Sequence, residues 1–181
     1  EAPVDNRLNY LGRIYAEANA AIGDDEAKKA EVSEIQRQLE LMEGEWVPLW
    51  KKTQNWSLDG LKLIFDQFGL ELNHIYLEHE LINDTHEIVK RLLTEGVAKM
   101  SEGAVGVDLE DQKLGFNLLR KSDGTLLYNA KDLALAYRKE RDYDADRLII
   151  VVDNRQSLAM QQLIATLKIM GFTGDVHHLS Y

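Results

Sequence analysis

The chain has 181 residues, of which 45% are hydrophobic and 29% are charged, a composition typical of a globular protein with one or two domains. Its formal net charge of −10, from 31 acidic and 21 basic residues, argues against a main role in gripping nucleic acid, because phosphate binding requires clustered Lys and Arg. The absence of cysteine excludes disulfides and Cys-based zinc sites.

No targeting segment is visible in the sequence. No apolar run approaches the roughly 18–20 residues that cross a membrane, and there is no signal peptide. We therefore expect a cytoplasmic protein without a membrane partner. The chain begins Glu1-Ala2-Pro3, without Met, so we expect a processed product or an excised piece.

Residues 1–69 are predicted to be helical, because apolar side chains recur there at helical spacing. The three sets are Leu8, Leu11, Tyr15 and Ala18, then Val32, Ile35, Leu39 and Met42, and then Leu58, Leu61, Ile64, Phe65 and Phe68. Ser57 is the predicted N-cap of the third helix, which ends at Gly69. Trp46, Pro48 and Trp50 predict a separate short helix before it, with the proline in its first turn.

Residues 70–121 are predicted to form a small α+β part. Residues 70–77 can form a strand. Asp84 and Glu87 form a predicted capping box before a helix that ends at Gly96. A hairpin is predicted next, with strands over residues 104–109 and 115–120 and with residues 110–113 in its turn.

Residues 122–181 alternate between strand and helix patterns. Asp123-Gly124 signals a tight turn, and a short strand from Thr125 leads to a helix over residues 130–142. Residues 148–152 are an unbroken apolar run, which is typical of a strand buried on both faces, as in a parallel sheet.

A further helix, closed by Gly171, and a last strand over residues 175–181 complete a β-α-β-α-β order. We therefore predict an α/β fold with half of a doubly wound parallel sheet, preceded by a largely helical region with a small β-hairpin.

Candidate binding side chains cluster where these elements meet. Tyr128 ends the predicted strand, and Asp132 falls in the first turn of the next helix, where the helix dipole would keep its carboxylate ionised. Asp132 either caps that helix or, with the Tyr128 hydroxyl, faces the crevice at the carboxyl edge of the sheet. In the crevice, a carboxylate would pair bidentately with a guanidinium.

Two further candidates follow in the chain. Gln156 opens the next helix, where it either caps that helix or binds the amine or carboxylate of a ligand. His177-His178 lies on the last strand, where neighbouring side chains point to opposite faces, so only one of the two can face a given pocket. No metal site is predicted, because no other ligand has suitable spacing.

Several short motifs follow one another in a fixed order over residues 114–181. They are Ser122-Asp123-Gly124-Thr125, Tyr128, Asp132-Leu133-Ala134, Tyr137-Arg138, Asp146-Arg147, Gln156-Ser157-Leu158 and His177-His178-Leu179-Ser180-Tyr181. As an ordered set they resemble arginyl-tRNA synthetases, class I aminoacyl-tRNA synthetases with a Rossmann-type catalytic domain. Leu11-Gly12-Arg13-Ile14-Tyr15 and the helices up to Gly69 resemble, more weakly, the connective insertion of the same family.

The resemblance implies a division of the chain and a reaction. Residues 1–69 would be the helical part of the connective insertion, residues 70–121 its small α+β part, and residues 122–181 the second half of the Rossmann-type catalytic domain. The parent enzyme would activate L-arginine with ATP and transfer it to tRNA. Its partners would be L-arginine, ATP with Mg²⁺, tRNA and the missing remainder of the catalytic domain.

The resemblance also implies roles for individual residues. Tyr128 and Asp132 match family residues that recognise the arginine side chain. Gln156 matches a residue that helps to hold the amino acid, and His178 matches a histidine on the strand that leads to the adenosine-binding segment. None of them is expected to transfer a proton in catalysis.

The sequence also departs from the family pattern. The HIGH-type and KMSKS-type signatures are absent, and Ala159 stands where the family usually has a histidine. We therefore expect the isolated chain to lack aminoacylation activity, to hold no cofactor and not to grip nucleic acid by itself.

Two alternatives to a ligase remain open. One is a free-standing, non-catalytic arginine-binding or protein-interaction module on the same fold. A piece of a ligase should expose an apolar sheet edge, whereas a free-standing module should have that edge covered. The other, a dinucleotide-dependent oxidoreductase, is disfavoured because no Gly-rich fingerprint follows a strand.

Overall fold

A computed structural model describes residues 6–181, so the start Glu1-Ala2-Pro3 lies outside the described residues. The chain divides into two units, one ending at Ile75 and the other covering Tyr76–Tyr181. The division predicted after residues 69 and 121 stays a prediction.

The first unit contains the helices α1 (Arg7–Ile22), α2 (Glu26–Glu40) and α3 (Val47–Gln67). The Asp25 side chain caps α2 by accepting hydrogen bonds from the backbone N–H groups of Ala27 and Lys28, which satisfies two donors of the first turn. The predicted helical character of this region is confirmed.

The predicted N-cap at Ser57 and the separate short helix before it are wrong. Both segments belong to α3, which has Pro48 in its first turn. The Ser57 hydroxyl donates to the Thr53 carbonyl at 3.2 Å, and this bond to the preceding turn lets a serine sit inside a helix.

Helices α1 and α3 approach closely at Gly60, where an added Cβ would overlap the Leu8 side chain. No described residue in the three helices is fully buried. The strand predicted over residues 70–77 is wrong, because this segment has no regular structure.

The second unit begins with a 3₁₀ helix (Glu78–Leu81) and the helix α4 (Ile82–Thr94). The predicted capping box is wrong, because Asp84 and Glu87 lie inside α4 rather than at its start. The predicted end of this helix is confirmed, since Gly96 follows its last turn with φ 72°, a conformation that favours glycine.

A three-stranded antiparallel sheet follows in the order β1 (Ala98–Ser101), β2 (Ala104–Asp108) and β3 (Phe116–Arg120). The predicted hairpin corresponds to β2 and β3 and is confirmed. The short strand β1, which pairs with β2, was not predicted.

The final part consists of α5 (Tyr128–Tyr143), β4 (Arg147–Val152), α6 (Ser157–Ile169) and β5 (Asp175–Ser180). Strands β4 and β5 pair in parallel, with α6 as the crossover helix between them. The mixed α/β class is confirmed, with helices first, then a small antiparallel sheet and then a parallel sheet.

The turn before α5 folds back onto the antiparallel sheet. The Asp123 carboxylate accepts the Thr125 N–H at 2.9 Å, and the Asp123-Gly124 turn is confirmed. Leu126 then forms only an isolated antiparallel bridge to Arg120. The first strand of the predicted β-α-β-α-β order is therefore wrong, and Tyr128 begins α5 instead of ending a strand.

The hydrophobic core of the second unit joins α4, the antiparallel sheet, α5 and α6. Leu92, Leu119, Leu133 and Leu167 are buried in it. The outer face of the parallel pair is exposed, with Ile149 at 60%, Val151 at 58% and Leu179 at 57%. The prediction that residues 148–152 are buried on both faces is thus wrong, because one face of β4 is exposed in the part of the chain that the structure describes.

Candidate functional site

A cavity of about 220 Å³ lies between α5, β4 and α6. Asp132 and Gln156 both line it, so the fold brings together two side chains that are far apart in the sequence. Its remaining wall is largely apolar, with Leu135, Leu148 and Met160 among the contributors. The volume is below the roughly 300 Å³ at which pockets for drug-sized ligands begin, and it suits a ligand the size of one amino acid.

Asp132 is half-buried in the second turn of α5. Burial first, and then the nearby negative charge of Glu78, raise the pKa of its carboxyl to about 6, while Lys139 opposes the rise. The expectation that Asp132 lies in the first turn is therefore wrong, and burial outweighs the stabilisation of the charged form that the helix dipole was expected to give.

Glu78 is a second carboxylate at this site, and sequence reasoning missed it. It begins the 3₁₀ helix before α4, and its Oε2 lies 3.1 Å from the Lys131 Nζ on α5. Its influence on the pKa of Asp132 places the two acids near each other. No local motif signals this proximity, because the two residues meet only through the packing of the 3₁₀ helix on α5.

Tyr128 and Gln156 occupy the starts of two helices. Tyr128 is the first residue of α5 and is 57% exposed. It precedes Asp132 by four residues, which puts both on the same helix face, but it is not among the residues that line the cavity. Gln156 is at the N-cap position of α6 without a side-chain capping bond, so its side chain is directed to the cavity rather than to the helix end.

The paired histidines lie on opposite faces of β5. The His178 Nε2 lies 3.3 Å from the carbonyl oxygen of Val152, next to the cavity wall. The His177 Nε2 lies 2.8 Å from an Asp175 carboxylate oxygen on the exposed face.

Neither a metal site nor a membrane span is found in residues 6–181. No group of three or more His, Cys, Asp or Glu side chains could hold a metal ion. None of the helices described there is long and apolar enough to cross a membrane.

The composition of the cavity matches an amphipathic cation. Apolar walls suit a chain of methylene groups, and a half-buried carboxylate with a raised pKa is stabilised when a cation binds beside it. A guanidinium can also donate two parallel hydrogen bonds to one carboxylate. Lys139 and Arg147 also line the cavity, but Arg147 already pairs with Asp175 at 2.8 Å.

Comparison with known proteins gives one consistent answer. The family described as "tRNA synthetases class I (R), catalytic domain" matches residues 1–181. The arginine–tRNA ligase of Bdellovibrio bacteriovorus is 37% identical over 187 residues, which cover 99% of this chain and 32% of that protein. The arginine–tRNA ligase of Streptococcus thermophilus is 35% identical, with 100% of this chain and 33% of that protein covered.

Solved structures agree on the fold. The arginyl-tRNA synthetase of Plasmodium falciparum superposes with a TM-score of 0.71 at 16% identity, over 99% of this chain and 30% of that one. The Thermus thermophilus arginyl-tRNA synthetase gives a TM-score of 0.69 at 20% identity, over 98% of this chain and 36% of that one. The chain spans about a third of the length of the curated relatives it matches. It belongs to the family of class I arginyl-tRNA synthetase catalytic domains.

Proposed function

We propose that this chain forms the arginine-recognising part of an arginine–tRNA ligase, which activates L-arginine with ATP and transfers it to tRNA. One observation carries the proposal: Asp132 and Gln156, both matched to amino-acid-binding residues of the family, line a single cavity of about 220 Å³. Family membership supports the reaction, and the half-buried Asp132 carboxylate beside an apolar wall supports arginine as the substrate.

Asp132 is proposed to bind the guanidinium of arginine. An arriving cation lowers the pKa of a neighbouring carboxyl, so arginine binding favours the ionised form of Asp132 and releases a proton mainly below pH 6, where the free site is still protonated. Glu78 also lies near Asp132, but its carboxylate is paired with Lys131 at 3.1 Å, so the recognition of the cation is assigned to Asp132.

Tyr128 and Gln156 are proposed to complete the arginine site. The Tyr128 hydroxyl, one helical turn from Asp132, hydrogen-bonds to the guanidinium or packs on it. Gln156, at the start of α6, orients the α-amino end. These groups hold and align the substrate rather than transfer protons, and alignment alone lowers the barrier to attack on ATP.

The ATP-binding part of the reaction is assigned mainly to other parts of the protein. His178, on β5, is proposed to lie near the adenosine. The Mg²⁺ that accompanies ATP is assigned to the complete enzyme. The same holds for the tRNA contacts, in view of the net charge of −10. We also propose a cytoplasmic location for the protein.

A free-standing binding module is the competing proposal. Such a module should shield the apolar surface of its parallel strands from solvent. Instead, Ile149, Val151 and Leu179 form an exposed apolar face. This exposure favours a Rossmann-type half that packs against further protein.

The proposal is tested by the amino-acid selectivity of the full-length protein that carries this chain. We expect ATP-dependent charging of tRNA with arginine and none with citrulline, which has the same shape but carries a neutral urea group in place of the guanidinium. Lysine, a cation without the planar fork, should also fail. Equal charging with citrulline and arginine would contradict a site built around Asp132.

A further inference from the structure

A chain of buried hydrogen bonds connects β3, α5 and α6. The Thr166 hydroxyl donates to the Gln162 carbonyl at 2.8 Å. Because a hydroxyl has one proton, its oxygen must accept the bond from the Asn117 Nδ2, 3.0 Å away. This fixes the orientation of the Asn117 amide, whose Oδ1 accepts from the Asn129 Nδ2 at 2.7 Å.

The members of this network lie deep in the second unit. Asn117 and Thr166 are each 0% exposed. The Asn129 Oδ1 is buried and accepts no hydrogen bond from the described residues, so Asn129 belongs to the network only through its Nδ2. Buried polar groups of this kind stabilise a fold little more than apolar packing would. What they add is a fixed geometry, because hydrogen bonds are directional and dispersion contacts are not.

The network ends at the helices that carry the proposed arginine contacts. Asn129 is the second residue of α5, directly after Tyr128 and three residues before Asp132. Thr166 belongs to α6, whose N-cap residue is Gln156. Asn117, on β3, is hydrogen-bonded to both helices. Sliding of α5 along α6 would break these bonds and would separate Asp132 from Gln156.

We infer that Asn117 and Thr166 are positioning residues for arginine recognition. They hold the start of α5 at the position, relative to α6, that places Asp132 and Gln156 on one cavity. Neither residue lines that cavity, so they act only through the helices. The inference rests on the proposed function and names residues that set its geometry.

The test uses two substitutions at one position in the full-length protein. Thr166→Val keeps the shape of the side chain but removes the hydroxyl, whereas Thr166→Ser keeps the hydroxyl and removes a methyl group. We expect the KM for arginine to rise about threefold to tenfold in Thr166→Val, the effect of one lost hydrogen bond. The KM for ATP should stay unchanged. Thr166→Ser should lower the Tm but keep the wild-type KM for arginine.

A matched control separates positioning from general destabilisation. Thr85 is also 0% exposed, and its hydroxyl donates to the Leu81 carbonyl at 2.6 Å, but it lies in α4 and outside the network. Thr85→Val should lower the Tm without changing the KM for arginine.

The inference is overturned if Thr166→Val leaves the KM for arginine unchanged, or if Thr166→Ser raises it equally. Should Thr166→Val fail to fold, Asn117→Asp/Thr166→Val removes the Asn117 amide donor that Thr166→Val leaves without an acceptor, while its carboxylate still accepts from the Asn129 Nδ2. This folded double variant must then show the raised KM for arginine, and a wild-type KM refutes the inference. If the wild-type protein does not charge arginine, the proposed function fails first and the inference with it. If the wild type charges arginine and only the predicted KM shift is missing, the inference alone fails.

Discussion

Replacing Asp132 by asparagine should change how the stability of the protein depends on pH. Burial and the charge of Glu78 raise the pKa of this carboxyl from 3.8 to about 6. A shift of about two units corresponds to about 3 kcal/mol, at about 1.4 kcal/mol per unit. Because Asp132 is only half-buried, this value is an upper bound.

The sign of the effect follows from the direction of the shift. A carboxyl whose pKa is raised on folding binds its proton more tightly in the folded state. Its contribution to stability is therefore complete below its unfolded pKa and is lost as the pH rises through about 6,. We expect the wild type and Asp132→Asn to have similar stability near pH 4. The variant should gain up to about 3 kcal/mol over the wild type by neutral pH.

The assay is urea unfolding of the wild type and of Asp132→Asn at several pH values between about 4 and 7. Asp123→Asn is a matched control of opposite sign, because the Thr125 backbone N–H lowers the pKa of Asp123. That variant should lose stability at neutral pH and recover relative to the wild type as the pH falls. A stability difference between Asp132→Asn and the wild type that does not change with pH would refute the reasoning.

Three further sets of substitutions have definite expected outcomes. Gln156→Ala should raise the KM for arginine and leave the Tm nearly unchanged, because Gln156 is exposed and makes no capping bond; a large loss of Tm would show that the residue is structural. Ile149→Thr/Val151→Thr should reduce self-association of the 181-residue chain in analytical ultracentrifugation,, and an unchanged sedimentation profile would contradict this. Gly60→Ala should lower the unfolding free energy by about 1–3 kcal/mol, because the added Cβ clashes with Leu8,. Adding Leu8→Ala should relieve that clash. A Gly60→Ala variant as stable as the wild type would show that the clash does not occur.

Local patterns predicted the elements of this fold better than their ends. The apolar spacing of Leu58, Leu61 and Ile64 correctly indicates a helix, but Ser57 resembles an N-cap only because serine favours caps. In the structure its hydroxyl bonds to Thr53, and the helix continues through it. The start of a helix depends on where the preceding chain stops packing, which a single residue type does not reveal.

The candidate site was only partly accessible from sequence. Asp132 and Gln156 line one cavity because they lie on the helices before and after β4. The alternation of strand and helix patterns in the sequence indicates this arrangement. The raised pKa of Asp132 does not, because its burial and its proximity to Glu78 arise from tertiary packing. The apolar run around Ile149 predicts a strand. It does not predict which face of that strand packs against the rest of the chain and which face is exposed.

The most direct test of the account compares the KM values for arginine and for ATP in the full-length protein with Asp132→Asn. Removing the charged partner of a guanidinium should cost about 1.5–3 kcal/mol. The account therefore predicts that the KM for arginine rises by about tenfold to a hundredfold while the KM for ATP stays near its wild-type value. An equal change in both KM values, or none in that for arginine, would contradict the assignment of Asp132 to arginine recognition.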